Sequence, residues 1–274
     1  MAHPQIAAFA RLAEGNAKPT REIAGQKTLI TRTIHDMAYN PDRDEIVVPQ
    51  FYAQAILTFQ GGVNGNVAPV RMIFGPDVGL QNPMRVALET VNNELYVPQE
   101  RSIYVFPLYA SGNVAPLRIL KGPNTRLTNS SAMVVAVDPM HDLLVVTGGT
   151  GGGAQGGSGQ ILFFNRTDQG NVKPRSVISG PNTKLSGQAL FVLYPPRGMI
   201  LVASRGQNRN HPGNFVGVWS IHDKGDVPPR YTIGGPNGML RDVRGVTLDV
   251  RSKNVIISDK YVNAVLTYHF PEIF

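Results

Sequence analysis

The chain has 274 residues, enough for one large domain or two ordinary ones, and 42% of them are hydrophobic, which suffices for a buried core. It contains no cysteine, which excludes disulfides, thiolate metal sites and a cysteine nucleophile. Its net charge of +7 favours contact with polyanions or anionic surfaces, although a basic protein can equally bind nothing acidic.

The N-terminal residues MAHPQIAAFARLAEG contain no basic segment followed by an apolar stretch, so we expect no signal peptide. No apolar run reaches the roughly 18 residues that a membrane helix needs, so we also expect no membrane insertion. The composition fits a soluble protein and does not choose between the cytoplasm and export with removal of a leader.

In chain order, the first elements are a short apolar run, QIAAF, and the cluster GNAKP at 15–19, and both return along the chain. The Gly-x-x-x-Pro cluster recurs at 65–69, 112–116, 170–174 and 225–229. Each cluster is preceded by an apolar run that carries an aromatic residue, at Phe9, Phe59, Phe106, Phe164 and Trp219, and a sixth such run near the C-terminus carries Tyr268. Successive aromatic residues are 47 to 58 positions apart, which indicates an internal structural repeat.

Two further strand-like runs lie between successive clusters, so each repeat predicts four short strands and no long helix. Four-stranded repeats of this length predict a β-propeller, an all-β fold in which neighbouring sheets pack face to face around an axis. We name the strands of each blade a to d from the axis outward. The a–b pairs are predicted at 36–48, 85–97, 134–146, 190–202 and 245–257.

These five pairs predict five four-stranded blades in a single domain, 1–274, closed by pairing of the N- and C-terminal strands. Six blades are the alternative, but they would need another a–b pair. Both chain ends carry a predicted c strand, so five blades leave one c strand over. This extra strand adds an edge to a sheet, replaces the other c strand in the last blade, or pairs with another molecule. We therefore expect a monomer, with a strand-exchanged oligomer as the alternative.

The repeated cluster itself is interpreted as scaffold. Gly and Asn tolerate positive φ in the turn between strands c and d. The proline starts the outermost strand, where a missing N–H does not interrupt a ladder. The glycine that follows, usually with a proline after it, ends strand d and turns the chain toward the next blade.

The segment NVIISDKYVNAVLTY at 254–268 resembles the NHL-repeat pattern that links strands b and c, and 102–122 resembles an NHL c–d hairpin. Only the last blade keeps the Asp and Asn of that pattern, at Asp259 and Asn263, whereas Gln50 and Gln99 stand in the first two. The resemblance implies an NHL-like propeller. Such propellers include metal-dependent lactonases, lyases and non-enzymatic protein- or RNA-binding modules, so it implies no single function.

Long b–c insertions at 147–159 and 203–215 mark the expected ligand face. The glycine-rich first loop can cradle an anion or be a function-free insertion. The second loop is rich in Arg, Asn and His. The predicted ligand-binding residues on this face are Arg205, Arg209, His211, Phe215, Lys260 and Tyr261. Further basic and aromatic residues there, Arg85, Arg101, Phe51 and Tyr52, motivate RNA or another polyanion as a partner.

Counting back from strand b places His35, Met84, Met133, Ala189 and Arg244 at the channel mouth. This set supplies no carboxylate for a metal, so we predict no metal site and no cofactor. His35 and Arg244 are the candidate catalytic pair, as general acid/base and oxyanion stabiliser. The alternative is that His35 caps the channel and Arg244 pairs with Asp242.

Three functions remain open at this stage. The leading hypothesis is a non-enzymatic propeller that binds a small molecule, a glycan or a protein. A lyase or lactonase acting at the channel mouth is the alternative, and binding of RNA or another polyanion is the second alternative.

Overall fold

The computed structural model describes residues 4–32, 34–127, 133–149, 159–185, 189–204, 214–235 and 238–274. The chain divides into two compact units, Met1–Ile119 and Leu120–Phe274, which we describe separately. The assignment of 1–274 to a single domain stays a prediction. No helix within the described ranges is both long enough and apolar enough to span a membrane.

The first unit begins with a two-stranded antiparallel sheet of β1 (Gln5–Ala8) and β2 (Arg21–Ala24). The next sheet consists of β3 (Ala38–Asn40), β4 (Glu45–Gln50), β5 (Ala55–Gln60) and β6 (Arg71–Ile73). The third consists of β7 (Ala87–Glu89), β8 (Glu94–Gln99), β9 (Ser102–Pro107) and β10 (Arg118–Lys121), where the chain passes into the second unit.

The second unit holds three further antiparallel sheets. The first consists of β11 (Val134–Asp138), β12 (Leu143–Gly149), β13 (Gly159–Asn165) and β14 (Ser176–Ser179). The second consists of β15 (Ala189–Tyr194), β16 (Met199–Ser204), β17 (Phe215–Ser220) and β18 (Tyr231–Gly234). The third has three strands, β19 (Val243–Asp249), β20 (Asn254–Asp259) and β21 (Ala264–His269).

The fold is an all-β, five-bladed β-propeller, which confirms the fold class and the number of blades. The five predicted a–b pairs correspond to β3–β4, β7–β8, β11–β12, β15–β16 and β19–β20. In the fifth blade the C-terminal region supplies strands a, b and c, while β1 and β2 pair with each other. Closure of the ring by terminal strands stays a prediction.

The middle strands of the complete blades are buried on both faces, which explains why they read as continuous apolar runs rather than alternating ones. In β5, for example, five of six residues are buried, and Phe59 is wholly inaccessible. Ile73 on β6 lies opposite Ile56, and both belong to the core of the first unit. Full burial of one such side chain stabilises the fold by about 1.5–3 kcal/mol.

The repeated cluster has a structural role that the sequence interpretation described only in part. Its glycine has positive φ as expected, for instance Gly112 at 79°, but no asparagine of the clusters does. Instead, the asparagine side chain reaches the turn that follows the preceding strand d. The Oδ1 atom of Asn66 accepts the N–H of Lys27 at 2.8 Å, and that of Asn113 accepts the N–H of Asp77 at 2.9 Å. Those turns are short 3₁₀ helices, which the Gly-Pro pattern had not predicted.

The second unit repeats this contact. The Oδ1 atom of Asn171 accepts the N–H of Asn124 at 2.8 Å, and a carboxylate oxygen of Asp226 accepts the N–H of Asn182 at 2.8 Å. We call these four contacts the turn clasps. They explain why the same dozen residues recur, and they support the interpretation of the repeat as scaffold.

Candidate ligand-binding site

In three of the blades, strand b ends in a residue whose side chain anchors the loop leading into that blade. In the first unit, the Oε1 atom of Gln50 accepts the N–H of Thr31 at 2.7 Å, and that of Gln99 accepts the N–H of Gln81 at 2.7 Å. Both glutamine side chains are buried. This anchoring fixes the entering d–a loop against the b–c turn, and the two segments form one surface.

Asp259 holds the same position in the fifth blade, where its carboxylate accepts four backbone N–H groups. Those of Arg241 and Asp242 come from the entering loop at 2.7 and 3.0 Å, and those of Tyr261 and Val262 come from the following turn at 2.9 and 3.2 Å. Burial opposes ionisation of Asp259, but the backbone donors outweigh it and lower the pKa of the carboxyl group. The Asp of the NHL-like segment therefore organises two turns.

The first unit presents an aromatic and cationic surface where its d–a loop meets the b–c turn of the first blade. The ring of Phe51 lies edge-on to Tyr52 at 5.0 Å and to His35 at 6.1 Å between centroids. The guanidinium carbon of Arg32 is 6.0 Å from the centre of the Tyr52 ring, at the limit of a cation–π contact. Tyr52 is 59% exposed, so its ring is available to a ligand.

Arg85 completes this surface, which we call the aromatic–cationic patch: Arg32, His35, Phe51, Tyr52 and Arg85. The guanidinium of Arg85 donates to the carbonyl oxygen of His35 at 3.0 Å. Asp36 lies beside it and accepts the N–H of Val86 at 3.3 Å.

Burial and the charge of Arg85 lower the pKa of His35. Burial also raises the pKa of Asp36, although Arg85 opposes that shift. Burial lowers the pKa of Arg85 itself, against the charge of Asp36. The imidazole of His35 is therefore neutral near pH 7 and remains exposed.

Arg244, the second residue of the candidate catalytic pair, lies on β19 in the second unit. Its Nε atom is 3.4 Å from Oδ1 of the buried Asp242, which is the ion pair considered as the alternative. Lys260 and Tyr261 lie in the b–c turn of the fifth blade and are exposed, as a ligand-contacting role requires. Tyr261 occupies the position that Tyr52 occupies in the first blade, two residues beyond the end of strand b.

The four other predicted ligand-binding residues lie either outside the described residues or in the core. Arg205, Arg209 and His211 lie outside the described residues, as does most of the glycine-rich loop at 147–159. Phe215 begins β17 and packs in a core cluster with Trp219, so its ring is buried. Among the described residues, no group of three or more His, Asp or Glu side chains could hold a metal ion.

Arg32 and the anchoring role of Gln50 were missed by sequence reasoning. Arg32 lies 20 residues before Tyr52, and no local pattern signals that a loop residue will approach a ring in another turn. The available signal was positional: Gln50, Gln99 and Asp259 stand at the same place in three repeats, immediately before a turn.

No protein-family model matches this chain, and no curated protein matches it. Solved structures do match. The β-propeller domain of Cps50 (Swd1) from Myceliophteria thermophila is 10% identical with a TM-score of 0.56, over 87% of this chain and 65% of that one. A functionally unknown protein from Desulfotomaculum acetoxidans DSM 771 is 11% identical with a TM-score of 0.59, over 92% of this chain and 68% of that one.

At these identities the likeness shows the fold alone, a β-propeller. The chain spans less than two thirds of the Cps50 domain's length. The resemblance to NHL repeats stays a prediction, because no family model supports it.

Proposed function

We propose that this protein is a non-catalytic binding propeller and that the aromatic–cationic patch is a ligand-binding surface. The observation that carries the proposal is the exposed ring of Tyr52, with Arg32 near it and Phe51 packed against its edge. The exposed ring of Tyr52 offers a flat face for stacking, and Arg32 near it supplies a positive charge. The chemistry that fits is an anionic ligand containing a flat ring, as in a nucleotide unit of RNA.

Two further features support this ligand chemistry. Arg32 and Arg85 supply two positive charges on one surface of the first unit, beside a single carboxyl group, that of Asp36. The buried anchor at Gln50 fixes the b–c turn, so the rings are held in place before a ligand arrives. Arg205, Arg209 and His211 with the loops at 147–159 and 203–215, and the exposed Lys260 and Tyr261 of the fifth blade, stay separate predictions of ligand contacts in the second unit.

The experiment compares binding of a fluorescein-labelled oligouridylate of about ten nucleotides to the full chain and its variants by fluorescence anisotropy. Tyr52→Ala is expected to weaken binding about tenfold, because stacking on one aromatic ring contributes roughly 1–3 kcal/mol. Tyr39→Ala is the matched control, since Tyr39 is 57% exposed on β3 of the same unit. Equal effects of the two substitutions, or no binding by the wild-type chain, would contradict the proposed site.

A polyphosphate of similar charge separates stacking from charge attraction. Because polyphosphate has no rings, Tyr52→Ala should leave its binding unchanged. Loss of both ligands in Tyr52→Ala would mean that the ring supports the local fold rather than the ligand.

A lyase or lactonase activity is the second candidate, favoured by the exposed and neutral imidazole of His35, which is able to accept a proton. Screening lactone and uronate substrates with the wild-type chain and His35→Ala tests it. Turnover that survives His35→Ala unchanged would remove His35 from any catalytic role. Arg244→Met is the second variant, because it removes the guanidinium group that pairs with Asp242.

A further inference from the structure

A cavity of about 230 Å³ lies between β2 and the first blade, within the first unit. β2 is held beside this blade by a parallel bridge of Ile23 with Gly65, and the N–H of Gly65 donates to the carbonyl of Glu22 at 2.6 Å. The two walls of the cavity are therefore fixed relative to each other. The residues that line it come from β2, from β3 and β4 of the blade and from the turn after β5: Arg21, Met37, Ala38, Tyr39, Ile46 and Gly61.

The second blade shows which side chains fill the corresponding place. The N–H of Gly61 donates to the carbonyl of Asp44, and the N–H of Leu108 donates to the carbonyl of Asn93 at 2.8 Å, so Gly61 and Leu108 are equivalent. Leu108 is buried in a core cluster, against which the next residue, Tyr109, also packs. In the first blade both of these positions are glycine. The cavity is therefore explained by two side chains that the first blade does not have.

The apolar walls of the cavity are more exposed than their counterparts in the second blade. Met37 is 56% exposed, whereas Val86, its equivalent by strand register, is 6% exposed. Ile46 is half-buried, whereas its equivalent Leu95 is 1% exposed. Concave apolar surface of this kind favours an apolar ligand.

The arginine on the cavity wall also has a counterpart, and the contacts of that counterpart indicate the ligand chemistry. Arg21 and Arg71 each stand two residues after a cluster proline. Both terminal nitrogens of Arg71 donate to the carboxylate of Glu45 at 2.6 Å, and its guanidinium carbon is 5.6 Å from the centre of the Tyr109 ring. Within the described residues of the first unit, no carboxylate lies within ion-pair distance of Arg21. Its guanidinium is therefore available to a carboxylate of a ligand.

The turn after β5 can accept a side chain at only one of its two glycines. The carboxylate of Asp44 accepts the hydroxyl of Tyr39 at 2.8 Å, and a Cβ on Gly61 would overlap that carboxylate. A Cβ on Gly62 would have a single described neighbour within 4 Å, Oδ2 of Asp44 at 3.8 Å. Position 62 can therefore carry the residue type that the second blade has there.

We propose that this cavity is a second binding site, which takes a small carboxylate that carries one aromatic ring. The carboxylate pairs with Arg21 as Glu45 pairs with Arg71, and the ring fills the space beside Met37, whose thioether makes favourable contacts with aromatic rings. The cavity is smaller than the roughly 300–1,000 Å³ of pockets for drug-sized ligands, so a single ring fits it. It lies near the start of β4, whereas the aromatic–cationic patch includes the turn after the end of that strand.

The test is an NMR titration of the full chain with 4-hydroxyphenylacetate, which combines the ring of a tyrosine side chain with a carboxylate. A dissociation constant of about 0.1–1 mM is expected for a ligand of about ten non-hydrogen atoms. Arg21→Met should raise it about tenfold, because the ligand loses a charge-assisted pair. Lys18→Met is the matched control: it removes the same charge from an exposed position three residues earlier and should leave the dissociation constant unchanged.

Gly62→Tyr tests the cavity independently of charge. The new ring should fill the cavity as Tyr109 fills the equivalent place in the second blade. Binding of 4-hydroxyphenylacetate should then be lost, while the melting temperature stays equal or rises. The neutral 4-hydroxyphenylacetamide should bind the wild-type chain about tenfold more weakly than the carboxylate does. If Gly62→Tyr does not fold, Arg21→Met and the amide decide the question.

Three results would overturn the proposal. A wild-type chain that binds no 4-hydroxyphenylacetate at about 10 mM has no such site. Equal effects of Arg21→Met and Lys18→Met would assign the binding to net charge. Unchanged binding by a folded Gly62→Tyr would place the ligand elsewhere on the molecule. Tyr52→Ala should leave this binding unchanged, so failure of this site is distinguishable from failure of the aromatic–cationic patch.

Discussion

Asp259 is a single carboxylate that holds two turns of the fifth blade through four backbone N–H groups. Asp259→Asn keeps the size of the side chain but removes the charge and two of the acceptor lone pairs. We expect the free energy of unfolding to fall by about 1–3 kcal/mol at pH 7, because four backbone donors lose a charged acceptor. Urea denaturation of the wild type and the variant measures the difference.

The same difference should depend on pH in a defined direction. The folded-state pKa of Asp259 lies below its unfolded value of about 3.9, so the stabilisation is complete above that pH. It is lost as the pH falls through the folded-state pKa, and the two stability curves should converge there. Asp42→Asn is the control, since Asp42 is exposed and its carboxylate accepts no hydrogen bond from the described residues. A constant difference between wild type and Asp259→Asn from pH 7 to about 3 would contradict this role.

His35 predicts a pH dependence of ligand binding rather than of stability. Burial and the charge of Arg85 hold its pKa below the ordinary value of about 6.5, so the imidazole gains its charge only as the pH falls below that value. Anion binding at the patch should therefore strengthen in that range, and the increase should be smaller in His35→Gln. Asp36, whose pKa is raised, loses charge over the acidic range in both proteins. Anisotropy titrations with the oligouridylate test this, and identical pH profiles of the two proteins would contradict it.

At the scale of elements, the turn clasps predict which glycines tolerate a side chain. Gly75 has φ of 130°, and a Cβ there would overlap the side chain of Asn113, whereas Gly65 has φ of 86° and open space around it. Both changes to alanine strain the backbone, but only Gly75→Ala also displaces a clasp. We expect it to cost about 1 kcal/mol more than Gly65→Ala in urea denaturation. Adding Asn113→Ala should remove much of that excess, and equal costs for the two glycines would contradict the clasp.

The strands were predictable because the same sequence pattern occurs in each repeat and predicts them there independently. An apolar run with a fixed aromatic, a Gly-x-x-x-Pro cluster and a following glycine recur often enough to identify four strands and five blades. The 3₁₀ turns and the clasps were not predictable, because they depend on contacts between neighbouring repeats. Asn66 looked like a turn residue suited to positive φ, and only the fold places its side chain against Lys27.

The candidate site was less predictable than the scaffold, for a physical reason. Its residues come from loops, where position is fixed by long-range anchors such as Gln50 rather than by strand alternation. Phe215 illustrates the difficulty: next to a long loop it resembled a ligand contact, yet it is the first core residue of β17. The structure does bring the rings of His35, Phe51 and Tyr52 together, as the sequence predicted for one face, because all three residues are close in the chain to recognisable strand ends.

For the whole molecule, the net charge of +7 raises the question of whether anions bind a defined site or the general field of a basic protein. The logarithm of affinity for a single-stranded RNA falls with the logarithm of salt concentration by roughly 0.7 for each phosphate contact. Arg32→Met removes one charge from the patch, and Arg251→Met removes one from an exposed position in the second unit. Both variants have the same net charge.

If the patch is the site, Arg32→Met should lower the salt slope for the oligouridylate by about 0.7, while Arg251→Met leaves the slope unchanged. A general field would be weakened equally by the two substitutions, because it depends on the total charge and not on which arginine contributes it. Equal slopes for the two variants would therefore refute a localised site even if binding itself is strong. A shallower salt dependence in Arg32→Met than in Arg251→Met would mean that Arg32 contacts the ligand directly.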